Sequence, residues 1–284
     1  MVLALILDWN GLAFTRDCVA ALRRQTAAGL KTLVVDNGST AYAHEALREA
    51  CPGAEVIRAP ANLGFAGGVA WGLAHGKAAA EPWSHLWLLN NDTLPAPDAL
   101  EKMLAAFRGG KDTAAVGCPL EAPPDRPGAN VACAMRLAGP LWIPRPGEPP
   151  DYLCGASILM SREALDAVGP LDSAFPFFFE DADWCFRARR AGWRIAVARD
   201  ARVVHLGSAT IGRMGAHRSA LYREGWVRFL RKYAKHPLAS SVPATVWRVC
   251  ANLAKLRFAD ALGDIRGFLR GWSRSAGSAS HHPK

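Results

Sequence analysis

Thr32-Leu33-Val34-Val35-Asp36-Asn37-Gly38-Ser39-Thr40 (residues 32–40) is an apolar run that stops on a carboxylate and a set of turn formers. A short run rich in Val and Leu, closed by Asp, Asn and Gly, reads as a buried strand feeding a tight turn. The pattern recurs on both sides. Leu3–Leu7 runs into Asp8-Trp9-Asn10-Gly11, and Leu86–Leu89 runs into Asn90-Asn91-Asp92-Thr93. Val56–Ile57 leads to Asn62-Leu63-Gly64-Phe65-Ala66-Gly67-Gly68, and Ala114–Val116 supplies a fifth run. Between them, residues 15–27, 41–50, 65–78 and 97–108 carry helical patterns, with Thr15 read as an N-cap and Pro97 near a helix start. Strands alternating with helices predict an α/β fold with a mostly parallel central sheet and flanking helices. Ligands of such sheets gather beyond the carboxyl ends of the strands. One Asn/Asp/Gly turn is ordinary chain chemistry. Four in succession on one sheet edge mark a ligand site.

Farther along, eight prolines between 121 and 150 exclude a continuous helix and predict a long excursion carrying a short hairpin. Order resumes over Tyr152–Met160, a helix from Ser161, a Pro- and Phe-rich loop at 170–179 and a helix at 180–191. Short strands at 193–198 and 202–205 complete the pattern. Residues 216–272 read as helical and 273–284 as a disordered tail.

The 284 residues are 50% hydrophobic and 21% charged, which supports a large buried core. Seven scattered cysteines with no C-x-x-C pair argue for a reduced chain and against a zinc ribbon. The first apolar run ends at Asp8 without a basic flank, unlike a signal peptide. No stretch approaches the length of a membrane span. These features predict a cytoplasmic protein. Net charge is +9, but residues 200–284 carry 15 Lys+Arg against 4 Asp+Glu, so the basic excess sits in the C-terminal part.

Two constellations carry chemistry. At the sheet edge, Asp36 can accept from a base N–H or a ribose hydroxyl. The glycines at 64, 67 and 68 allow close backbone approach at a helix start. Asp92, after a fully apolar strand, is placed where a divalent cation bridges phosphates. The second is Phe177-Phe178-Phe179-Glu180-Asp181-Ala182-Asp183-Trp184-Cys185-Phe186-Arg187. The helix macrodipole accounts for acids in a first turn, but not for the aromatic wall, and apolar surroundings raise a carboxylate's proton affinity. Asp183 and Arg187 are spaced to pair with each other, leaving Glu180 and Asp181 as the functional candidates.

The segments VVDNGST, NLGFAGG, LLNNDT, CGASILMSREALDAVGPLD, FFFEDADWCFRARRAGW and VVHLGS, in this order, resemble family 2 glycosyltransferases of the GT-A fold, in particular bacterial rhamnosyl- and galactofuranosyl-transferase-like members. The resemblance spans about residues 1–210, and no single segment would carry it. It implies a GT-A-type, Rossmann-like domain over 1–210 (a nucleotide-binding half, 1–118, and an acceptor half, 119–210) and a basic helical extension over 211–272. It implies that Asp36 reads the nucleobase and that Asp8, Asn10, Asn62, Gly64 and Asn91 line the nucleotide site. Asp92 matches the last acid of a metal-binding D-x-D element, here Asn90-Asn91-Asp92, with His205 presented to the same metal, Mg²⁺ or Mn²⁺. Asp181 matches the catalytic base, with Gly155, Glu180 and Trp184 near donor and acceptor. Where relatives often place Asn after the Gly pair, this chain has Val69-Ala70.

The implied activity is inverting sugar transfer from a dTDP- or UDP-linked donor to a saccharide or lipid-linked saccharide. A nucleotidyltransferase would carry a basic Gly-rich loop after the first strand, and none precedes Arg16. A degenerate binding protein would not need Asp92, Asp181 and His205 together. No nucleic-acid module is present. In the tail, Val246, Cys250 and Leu253, then Leu262, Ile265, Leu269 and Trp272, form apolar stripes beside basic residues. This suits an anionic membrane surface at the inner face, packing on the catalytic domain, or a homodimer seam. Gly263, Gly267 and Gly271 weaken the helix there.

Overall fold

Strands β1 (Val2–Asp8) and β2 (Leu30–Asp36) pair in parallel with Asp8 opposite Asp36, so two apolar runs end on carboxylates at one level. The computed structural model describes residues 1–108, 110, 112–122, 134–135, 141–142, 150–175, 177–207 and 216–273. The other strands are β3 (Glu55–Arg58), β4 (His85–Asn90), β5 (Thr93–Pro95), β6 (Thr113–Gly117), β7 (Leu120–Glu121), β8 (Ala134–Met135), β9 (Leu141–Trp142), β10 (Ser157–Ser161), β11 (Arg194–Val197) and β12 (Val203–His205). The helices of the sheet-bearing part are α1 (Leu12–Leu22), α2 (His44–Ala50), α3 (Gly64–His75), α4 (Lys77–Ala80), α5 (Ala99–Phe107), α6 (Arg162–Val168) and α7 (Glu180–Arg190). Three more follow: α8 (Ala216–Tyr233), α9 (Pro237–Ala254) and α10 (Phe258–Ser273).

The central sheet runs β11-β6-β10-β4-β1-β2-β3, and only β10 is antiparallel to its neighbours. Its middle strands are buried on both faces, as near-continuous apolar runs require. Trp87 of β4 is fully buried, and its indole N–H donates to Ser157 Oγ of β10 at 3.1 Å. Helix α3 lies close against β1 and β2 because it turns glycines toward them. A Cβ on Gly68 would come within 2.5 Å of Leu7, and one on Gly72 within 2.5 Å of Val35. Gly68 therefore serves helix–sheet packing, not approach to a ligand. The expected hairpin exists as β8 and β9; the rest of the 121–150 excursion lies almost wholly outside the described residues. The six described cysteines are all free.

The chain forms two compact units, Met1–Leu171 with Asp181–Ala209, and Asp172–Glu180 with Thr210–Lys284. The Phe-rich segment, expected inside the first domain, groups with the helices because Phe178 and Phe179 pack on Tyr222 of α8, and Phe179 also on Phe229. Phe178 and Phe179 have φ of 70° and 73°, a left-handed pair rare for aromatic residues. In the helical unit α10 presses its small residues onto α8, so the glycines expected to weaken the helix form its packing seam. Asp264, fully buried on that face, accepts from Arg223 at 3.4 Å, Arg248 at 3.2 Å and Asn252 at 2.9 Å. Trp272 folds back so that the Arg231 guanidinium lies 5.1 Å from its ring, and it leaves the stripe assigned to it. Ser273 ends α10, and the predicted disordered tail beyond it lies outside the described residues.

A Cβ on Gly267 would sit 2.2 Å from the Ala220 carbonyl oxygen. Gly267→Ala is accordingly expected to cost about 1–3 kcal/mol by overpacking a helix seam. Urea denaturation monitored by circular dichroism measures it, and unchanged stability would mean that the seam is loose.

Candidate active site

The carboxyl ends of β4, β1, β2 and β3 lie side by side, so the four turns predicted to meet there do so. What they build is two neighbouring networks. The first is centred on Asp8, which is completely buried. Its Oδ1 accepts from the Thr15 hydroxyl at 2.5 Å and from Asn91 Nδ2 at 3.2 Å; its Oδ2 accepts from the Ser39 hydroxyl at 3.1 Å and from the Tyr42 phenol. Burial, then the Asp8 hydrogen bond, push the Tyr42 pKa upward, so the phenol stays a neutral donor. Asn10, at φ 55°, accepts from the Thr40 and Ala41 amides at 2.8 and 2.9 Å.

These contacts bear on four expectations. Asp8, Asn10 and Asn91 use the polar atoms named here on protein partners, so they brace the edge and do not present those atoms to a nucleotide. Thr15 lies one turn inside α1, which starts after Gly11, and is a buried ligand of Asp8 instead of an N-cap.

The second network surrounds Asp36. Its Oδ1 accepts from the Ser39 amide at 2.8 Å. Its Oδ2 is buried without a hydrogen bond, 3.3 Å from an Arg58 nitrogen and 3.4 Å from His44 Nδ1. That oxygen is ion-paired with Arg58 but accepts no hydrogen bond, so it keeps acceptor capacity for a donor. Asn37 ties this edge to the next loop: it donates to Asn62 Oδ1 at 3.1 Å and accepts from the Leu63 amide at 3.0 Å. Gly64 takes φ 73° at the start of α3, a conformation that a side chain would strain. Asn62 is exposed, and its Oδ1 also receives the Gly64 amide at 2.9 Å. Arg58 and Tyr42 were missed by the sequence reading. Arg58 had a signal, a cation directly after an apolar strand; Tyr42 had none.

Asp92 and His205 come together across 113 residues, with His205 Nε2 3.1 Å from Asp92 Oδ1. Antiparallel pairing of β12 with β5 sets Thr93 opposite His205, and the Leu206 amide donates to the Asp92 carbonyl at 2.9 Å. Among the described residues no group of three or more His, Cys, Asp or Glu is arranged to hold a metal alone. The pair nevertheless offers one carboxylate oxygen and one imidazole nitrogen, a two-ligand seat that substrate oxygens can complete.

Asp181, in the first turn of α7, is gripped by backbone. Its Oδ2 accepts from the Gly155 amide at 2.7 Å and its Oδ1 from the Ala182 amide at 2.7 Å. A Cβ on Gly155 would come within 3.2 Å of the carboxylate and crowd it. Burial pushes the Asp181 carboxyl above its ordinary value of 3.8, outweighing the two amides that pull it down. The residue keeps some exposure, as a base that must meet an acceptor requires. Its placement follows from β10. The Asn90 amide donates to the Ala156 carbonyl at 3.0 Å, so Gly155 sits beside the end of β4 from which Asn91 and Asp92 leave. Asp183 pairs with Arg187 at 2.8 Å as its spacing predicts. Trp184, expected near donor or acceptor, is fully buried with its indole donating to the Gly169 carbonyl at 2.9 Å, so it is a core residue. Glu180 is buried as well.

The sequence profile described as Glycosyltransferase like family 2 matches residues 2–222. An N-acetylglucosaminyl-diphospho-decaprenol L-rhamnosyltransferase of Mycobacterium tuberculosis is 28% identical over 249 residues, covering 74% of this chain and 81% of its own. An uncharacterized Mycobacterium bovis protein is 30% identical over 215 residues, covering 72% and 74% respectively. Among solved structures, the mannosyltransferase PcManGT of Pyrobaculum calidifontis, in complex with GDP-Man and Mn²⁺, superposes with a TM-score of 0.64 at 15% identity over 96% of this chain and 88% of its own.

Proposed function

The chain belongs to glycosyltransferase family 2 with a GT-A fold, and from that premise we propose that it moves a sugar, with inversion, from a nucleotide-diphosphate donor to a hydroxyl of a lipid-linked saccharide in cell-surface polysaccharide synthesis. The observation that carries this reading is the seating of Asp181: a carboxylate fixed by two backbone amides, with raised proton affinity, beside the strand end that bears Asp92. Asp181 takes the proton of the acceptor hydroxyl while that oxygen bonds to the anomeric carbon. The bond to the leaving nucleotide diphosphate breaks with its electron pair. A single displacement of this kind inverts the configuration and leaves no sugar on the enzyme.

Asp36, through the Oδ2 that lacks a hydrogen bond, receives the base or ribose of a dTDP- or UDP-linked donor, with Asn62 and Gly64 beside it. Arg58, half-exposed at the end of β3, is placed to meet the same nucleotide. Asp92 and His205 would hold a divalent cation, which when bound neutralises charge on the departing diphosphate. The mixed oxygen and nitrogen pair suits Mn²⁺ better than Mg²⁺, which favours an all-oxygen shell. Glu180, adjacent in sequence to the base, and Gly155 flank donor and acceptor. Asp8, Asn10 and Asn91 support this edge from behind.

The rhamnosyltransferase relative points to a deoxyhexose donor and a prenyl-diphosphate acceptor. A panel of dTDP- and UDP-sugars, assayed on a short-chain prenyl-diphosphate N-acetylglucosamine with Mn²⁺, tests this reading. One donor is expected to give a disaccharide with inverted anomeric configuration by NMR. Turnover only on non-lipid acceptors, or retention of configuration, would overturn the respective part.

A further inference from the structure

Helices α9 and α10 are amphipathic in the reverse sense. In α10 the buried face is Ala261, Gly263, Asp264, Gly267 and Gly271, all small or charged. The large apolar residues lie on the opposite face: Phe258, Leu262, Ile265 and Leu269 are 62%, 45%, 42% and 59% exposed. Their spacing of i, i+4, i+7, i+11 makes one continuous stripe. Helix α9 repeats the inversion, burying Ser241 and Thr245 while exposing Val242, Val246 and Leu253. At the turn between them Leu256 is 75% exposed at φ 55°. A globular helix normally turns its apolar stripe inward, and an exposed patch of this extent marks a binding surface.

Charge identifies the occupant. Residues 216–273 carry eleven Lys+Arg against three Asp+Glu, and two of those three acids, Glu224 and Asp264, are buried and already paired with arginines. The cations bordering the stripe are exposed: Lys255 and Arg257 flank Leu256, and Arg266 and Arg270 border Leu262 and Leu269. A second copy of this surface would bring like charges together around any apolar contact. An anionic bilayer would not, because its headgroups meet the cations while its acyl boundary takes the stripe.

We infer that the exposed faces of α9 and α10 dock this enzyme on an anionic lipid surface, with the α10 stripe and the Leu256 turn inserted at the headgroup boundary. The inference deepens the lipid-linked acceptor reading by placing the enzyme on the surface that holds such an acceptor. Among the described residues no helix is long and apolar enough to cross a membrane, so docking is interfacial.

Flotation of the full chain with vesicles of phosphatidylcholine, with or without phosphatidylglycerol, is the test. The chain should float only with the anionic vesicles and be released by salt. Arg266→Gln with Arg270→Gln should weaken partitioning about 25-fold, taking roughly fivefold for each cation near the surface. Leu262→Gln with Leu269→Gln should abolish flotation. Both variants change exposed residues, and circular dichroism with turnover on a water-soluble acceptor should match wild type. Failure of the wild-type chain to float at low salt overturns the inference. So does a sedimenting dimer that the leucine variant converts to monomer without any vesicle binding. Flotation needs no donor or acceptor: lost flotation with intact turnover removes the docking surface alone, and intact flotation without transfer removes the catalytic reading alone.

Discussion

Asp181→Asn is expected to lower turnover by roughly 10²–10⁴-fold while leaving donor affinity nearly unchanged, because general-base assistance acts on the acceptor proton in the transition state. The variant keeps the shape but cannot take a proton. Its amide can accept only one of the two backbone N–H groups that now reach Asp181 from Gly155 and Ala182, so some loss of stability should accompany it, and rates are to be normalised to folded protein. The pH profile supplies a second measurement. Burial raises the folded pKa of Asp181 above 3.8, and only the carboxylate accepts a proton. Wild-type activity should therefore rise with pH through a midpoint above the ordinary carboxylate value. The linked stability runs the other way: the folded state holds this proton more tightly than the unfolded one, so the contribution falls as pH climbs from 3.8 through the raised value. Near-wild-type turnover in Asp181→Asn would reduce Asp181 to a helix-start acid.

The second large effect concerns Asp92 and His205. With a single carboxylate in Asn90-Asn91-Asp92 and one imidazole 3.1 Å away, Mn²⁺ should bind weakly to the free enzyme and more tightly once a nucleotide diphosphate adds its oxygens. Calorimetry with and without UDP or dTDP reads this directly. Asp92→Ala should lower turnover at least 10²–10³-fold, the equivalent of losing about 3–4 kcal/mol of charge stabilisation in the transition state. His205→Ala should raise the Mn²⁺ concentration needed for half-maximal activity and leave more residual rate. Full activity in excess chelator would exclude the metal from the reaction. Equal metal affinity in wild type and Asp92→Ala would place the ion elsewhere.

The five runs that read as strands became β1, β2, β3, β4 and β6, with boundaries within two residues of the reading. The inner ones were legible because strands buried on both faces must be apolar throughout, whereas β3 is a part-buried edge strand. The turns rich in Asp, Asn and Gly were equally legible, since few other residues close such strands. Local pairs were legible too: Asp183 with Arg187 needs only helical spacing.

What each turn residue does was not local. Asp8 and Asp36 look alike in sequence, each the carboxylate that closes a strand. Tertiary structure surrounds Asp8 with Thr15, Ser39, Tyr42 and Asn91, and leaves one oxygen of Asp36 without a hydrogen bond. Donors brought from 7 to 83 residues away decide which of them can answer a ligand.

The same holds for the catalytic edge. Antiparallel insertion of β10 between β4 and β6 brings Gly155 to the end of β4 and Asp181 with it. No periodicity announces strand direction, because an alternation of side chains reads alike both ways. In the C-terminal helices the sequence by itself determined that apolar stripes and cations lie together on amphipathic faces. It could not determine which face turns inward. Close packing decided that: glycines let α10 approach α8 to a distance that a leucine face could not reach, and Asp264 found two arginines and an asparagine in the seam. The larger apolar side chains were thereby left on the outside.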